Sequence, residues 1–143
     1  MLLKGNTSNL HVIAHHKKIN MTEEEISNFE KIQAQTQSFH DEMSALARKT
    51  PNAAINKFKI KFINKALAEC NDILGQGYSP FEDFDLFDED ELPSSSDVAM
   101  MLGQYLSCLE KKRADNIYVR GGYYYWIGTE IRTLMPEKIN RKK

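Results

Sequence analysis

The chain has few of the residues that usually announce an activity. It holds two cysteines, four prolines and one tryptophan in 143 residues. Cys70 and Cys108 both fall inside helical patterns beside apolar neighbours, which reads as free thiols in a reducing compartment and not as a disulfide framework. No apolar run approaches the roughly 20 residues needed to cross a bilayer, so a transmembrane helix is excluded. Met1 to Asn6 lack the apolar core of a secretory signal, and the expected location is the cytoplasm. There is no glycine-rich phosphate loop and no nucleophile elbow.

Histidine chemistry is equally thin. His11, His15 and His16 have no fourth ligand at a recognisable spacing. His40, Asp41 and Glu42 are consecutive, and consecutive helical residues point in different directions. Glu69 and Asp72 are helical neighbours without a second acidic pair to complete a hydrolytic metal site. The expectation is therefore no catalytic residues, no metal and no cofactor.

What the chain does have is one acidic stretch, 79–93, with seven carboxylates between Glu82 and Glu91 and no basic residue among them. Phe81, Phe84 and Phe87 are interleaved with the acids, and a solvated linker has no use for three large rings. An ordered segment that docks its rings and leaves Glu82, Asp83, Asp85 and Asp88 outside does. Asp83, Asp85 and Asp88 resemble a calcium loop only loosely, because the turn glycine is missing and Phe87 stands where a ligand belongs. Setting these seven acids aside turns the formal net charge of −1 into +6 for the rest of the chain. Charge sorted into blocks in this way favours an internal clasp or a charged partner.

Three helices frame the acidic bridge. Thr22 with Glu25 forms a capping box, and Phe29, Ile32, Thr36, Phe39, Met43 and Leu46 recur at alternating three- and four-residue steps, predicting a helix over 22–48. Thr50-Pro51 reads as the start of a second helix over 51–74, stopped by Gly75 and Gly77. Its apolar face, from Ile55 through Phe58 and Phe62 to Leu74, is wider than one neighbour can cover, which raises homodimerisation. Lys57, Lys61 and Lys65 line one flank. Val98, Leu102, Tyr105 and Leu109 mark a third helix over 95–114. Helices of this length predict an antiparallel three-helix bundle.

The tail changes character. Residues 117–120 and 123–127 flank Gly121-Gly122 and read as a β-hairpin within 116–127. Tyr118, Tyr123, Tyr124, Tyr125 and Trp126 concentrate four of the six tyrosines and the only tryptophan there. Thr129 reads as the cap of a final helical turn running to Leu134.

These observations give a mostly α fold with a small β element. Residues 1–20 form an arm or extension, and 21–143 form one domain. The expected function is non-enzymatic protein binding, with a protein partner held by Tyr118, Tyr123, Tyr124, Tyr125 and Trp126 beside Glu82, Asp83, Asp85 and Asp88. The alternative is a nucleic-acid-binding regulator using Arg120, Arg132, Lys138 and Arg141, since aromatic rings next to cations suit single strands. A metal-dependent enzyme is the third reading.

Overall fold

The computed structural model describes residues 21–137. The arm over 1–20, Lys138 and Arg141 lie outside the described residues. The fold is mostly α: three helices packed together, with a three-stranded antiparallel sheet at the C-terminal side.

Helix α1 (Glu23–Lys49) begins at the predicted capping box. The Glu25 N–H donates to the Thr22 hydroxyl, and the Thr22 N–H donates to the Glu25 carboxylate. Ile26, Phe29, Ile32, Thr36 and Met43 are its buried positions. Thr36 uses its polar slot to contact the Cys70 sulfur at 3.3 Å.

Helix α2 (Lys57–Tyr78) starts six residues later than the Thr50-Pro51 signal predicts. Thr50 instead closes α1, donating both its N–H and its hydroxyl to the Leu46 carbonyl. Asn56 caps α2 by accepting the Lys59 N–H at 2.8 Å. The link 51–56 is held by chain far away in sequence: the Ile55 N–H donates to Pro93 O, and the N–H groups of Ser95 and Ser96 donate to Ala53 O and Pro51 O. Backbone that pairs outward in this way is not available for a helix. At the other end the helix breaks at Gly75 (φ 61°, ψ −167°), then makes one more turn to Tyr78. That backbone region is essentially restricted to glycine. Lys112 donates its ammonium to the Ile73 carbonyl beside the break.

Helix α3 (Ser95–Asp115) matches the predicted third helix and is capped by Ser94. The Ser95 hydroxyl donates to Thr50 O, and Gln33 donates to Glu110, so α1 and α3 run antiparallel. Lys59 pairs with Glu42 while Thr36 meets Cys70, so α1 and α2 are antiparallel as well. It follows that α2 and α3 run parallel, as Ala54–Ser94 at one end and Tyr78–Asp115 at the other show directly. A connection between parallel helices must travel back along the bundle, which explains the length of the acidic bridge. It is a strap lying along α2 in reverse: Asp85 meets Asn71, Phe87 meets Asn64, and Asp90 meets Lys57.

Strands β1 (Ile117–Arg120) and β2 (Tyr123–Trp126) form the predicted hairpin, with Ile117 opposite Trp126 and Arg120 opposite Tyr123. Gly121 and Gly122 both have positive φ, the requirement of a two-residue turn that matches strand twist. The predicted final helical turn is replaced by β3 (Arg132–Thr133), which pairs with Tyr124 and Tyr125. Thr129 serves that turn, donating its hydroxyl to Trp126 O and accepting the Ile131 N–H. A hairpin leaves an open edge on β2, and β3 satisfies it. The core joins all of these elements through Phe29, Ile63, Leu67, Leu102, Tyr105, Leu109 and Trp126.

Candidate functional site

Alternation along a strand separates the two faces of the sheet. Ile117, Val119, Tyr124, Trp126 and Thr133 share one face by register, and Tyr118, Arg120, Tyr123, Tyr125 and Arg132 share the other.

The first face is the anchor. Trp126 is 1% exposed, packs edge-on to Phe29 with ring centroids 5.3 Å apart, and donates its indole N–H to Glu30 at 3.1 Å. This corrects its expected role as an outward partner contact. A tryptophan is the largest apolar side chain the chain has, and it packs on α1 as part of the core. Substituting Trp126 therefore undoes the sheet before it tests any surface. Tyr124 is half-buried on this same face.

A second clasp sits beside the first. The Arg113 side chain is 6% exposed and donates through all three nitrogens: Nε and Nη2 to the Glu110 carboxylate, Nη1 to the Thr133 hydroxyl and Leu134 O, and Nη2 to Met135 O. Glu110 also accepts from Gln33 and from the Glu137 N–H. Burial acts to raise the Glu110 carboxyl, but the Arg113 hydrogen bonds, the Glu137 N–H and the guanidinium charge together lower it below its ordinary value. In the sequence Arg113 reads only as favourable charge at a helix end. Nothing local marks it, or Glu30, as a ligand of the tail.

The second face is outward. Tyr118 and Tyr125 lie with centroids 5.9 Å apart. The Arg120 guanidinium sits over the Tyr125 ring at 4.7 Å, and the Arg132 guanidinium sits over the Tyr123 ring at 3.9 Å. Glu130 accepts from Arg120 at 2.7 Å and raises its guanidinium further above its ordinary value. Tyr123 is 51% exposed, and Arg120 and Arg132 are exposed as well. The structure thus brings together Tyr118, Arg120, Tyr123, Tyr125 and Arg132, residues drawn from two separate readings of the sequence.

The acidic residues belong to another surface. Glu82, Asp83, Asp85 and Asp88 are exposed on the strap, whose contacts are with α2 and α3, whereas the sheet's contacts are with α1 and α3. Phe84 and Phe87 do pack against the core, with Phe84 5.0 Å from Phe87 and 6.4 Å from Tyr105. Phe81 is left exposed. Asn64 fixes the strap's middle by donating to Phe87 O at 2.8 Å and accepting the Phe87 N–H at 2.9 Å. Of the three lysines on the α2 flank, Lys57 reaches the strap, at 3.7 Å from Asp90.

Asp41 accepts from Gln37 and lies 4.0 Å from His40 Nδ1, Glu42 pairs with Lys59, and His40 Nε2 meets the Ser44 hydroxyl beside Gly103, in a groove of about 300 Å³ between α1 and α3. Cys70 and Cys108 are free, and burial raises both thiols. Among the described residues no group of three or more His, Cys, Asp or Glu is placed to hold a metal, and no helix is long and apolar enough to cross a membrane. The chain matches no protein-family model, no curated protein and no solved structure.

Proposed function

We propose that this is a non-enzymatic protein-binding module of the cytoplasm whose contact surface is the outer face of the C-terminal sheet. The observation that carries the reading is the set of two guanidinium–tyrosine stacks on that face. Tyrosine and arginine are the residues most often found as interface hot spots, because they combine large area with directional donors. A guanidinium stacked on a ring still offers edge donors to a carboxylate, as Arg120 does to Glu130 at 2.7 Å, and loses little freedom on binding. The free thiols fit a reducing compartment.

The same stacks weigh against the nucleic-acid reading. A single strand binds by laying bases on open aromatic faces. Here Tyr123 and Tyr125 each present a face already taken by Arg132 or Arg120.

Capture from lysate of the source cell, with and without nuclease, tests the choice. The proposal predicts a stoichiometric protein partner that survives nuclease and is lost with Arg120→Ala/Arg132→Ala, a variant that keeps the wild-type melting temperature. Recovery that disappears with nuclease and falls steeply with salt would transfer the site to nucleic acid.

A further inference from the structure

Phe58 and Phe62 stand on the part of α2 that neither helix nor strap covers. They are 70% and 40% exposed, and their rings meet edge to face with centroids 5.0 Å apart. Lys61 and Lys65 are exposed beside them, with the Lys65 ammonium 6.0 Å from the Phe62 ring. Two adjacent phenylalanines in water add little to this fold, and an apolar patch rimmed by charge marks a contact site. What covers it must be apolar and acidic together.

That chemistry exists on the same molecule. The strap shows Phe81 and Leu86 to solvent among its seven carboxylates. Among the described residues its one ion pair is Lys57–Asp90, so most of its charge is uncompensated. We propose that the Phe58–Phe62 face of α2 binds the acidic strap of a second copy of this chain, in a symmetric dimer.

Position supports closure. The strap touches α2 at Lys57, Asn64 and Asn71. At about 100° per residue the strap contacts centre on Asn64, and Lys61, Lys65, Phe58 and Phe62 lie roughly 60°, 100°, 120° and 160° further round. The lysine edge of the patch is therefore next to the strap, with Phe58 and Phe62 beyond it. A two-fold axis between them lays each strap on the partner's lysines at once and leaves no open end.

The test is sedimentation equilibrium of the full chain over a range of concentration and salt. A monomer–dimer equilibrium that weakens with salt is expected, and Phe58→Ser/Phe62→Ser is expected to abolish it. Lys61→Glu/Lys65→Glu and Asp83→Lys/Glu89→Lys should each weaken the dimer at least tenfold when alone. Mixed in equal amounts, these two variants should form a heterodimer of near wild-type affinity, because both contacts become attractive again. All four charge positions are exposed, and circular dichroism on each variant checks the fold. A wild-type chain that stays monomeric at hundreds of micromolar overturns the proposal. So does a dimer indifferent to these substitutions, or a mixture that shows no rescue.

Discussion

The strap and the sheet solve the same problem with different chemistry. Each is a non-helical segment laid on the bundle, each turns rings inward, and each is gripped by one polar side chain from a helix. For the strap that side chain is Asn64, which takes both the N–H and the carbonyl of Phe87. For the tail after the sheet it is Arg113, which takes the carbonyls of Leu134 and Met135 while Glu110 balances its charge. The first grip is neutral and the second is ionic. On the strap the rings do most of the holding, since burying one contributes roughly 1.5–3 kcal/mol while its exposed Lys57–Asp90 pair contributes a few tenths. Outward, the two segments present opposite surfaces, one acidic and one of tyrosine and arginine.

Several substitutions would sharpen this contrast, and the largest effect is expected on the sheet side. Trp126→Ala removes the buried ring and leaves a cavity beside Phe29, at a cost of about 3–5 kcal/mol. For a domain of this size the melting midpoint should fall by roughly 10–25 °C. A near-normal melt would mean that Trp126 does not anchor the sheet.

Asn64→Ala comes next. It strands the Phe87 N–H and carbonyl, each partly buried, for about 2–3 kcal/mol in urea unfolding. Hydrogen exchange should quicken at Phe87 and leave the strands unchanged.

Acid separates the two grips. Glu110 has its folded carboxyl below the ordinary value of 4.5. The stability it gives is thus fully present above that pH and is lost as pH falls through the lowered value. Proton NMR during an acid titration should show the Thr133–Glu137 tail loosening in that window, and Glu110→Gln should flatten the dependence. The Asn64 grip holds no titrating group, and Phe87 should stay protected over the same range. Simultaneous release of both segments would contradict the division into neutral and ionic grips.

The smallest expected effect is Tyr123→Ala. The side chain is half in solvent, so stability should change by less than about 0.5 kcal/mol while partner affinity falls by tenfold or more.

Local signals carried much of this architecture. Thr22 and Glu25 announce the start of α1 by a rule confined to four residues, and Gly121-Gly122 announces the hairpin turn in the same way. The apolar spacing of α1 and α3 likewise gives their buried faces. Thr50-Pro51 is the counterexample. It has the chemistry of a helix start, but residues 51–55 spend their hydrogen bonds on 93–96, and a pairing across some forty residues leaves no local trace. The strap's rings were legible as docked because apolar area among charges has to go somewhere, although Phe81 stays outside. Composition alone groups Trp126 with the tyrosines; strand alternation assigns it inward, opposite in facing to Tyr123 and Tyr125. Arg113 was illegible as a clasp because its partners come from the tail, and Arg120 and Arg132 met the tyrosines only through the register of three strands.

The central claim is that the outer face of the sheet, and not the bundle, meets the partner. A photo-crosslinking residue at position 123 tests it most directly, with position 100 on α3 as an equally exposed control. The account predicts one discrete crosslinked protein from position 123, resistant to nuclease, and none from position 100. The same product from both positions, or from position 100 alone, would contradict it.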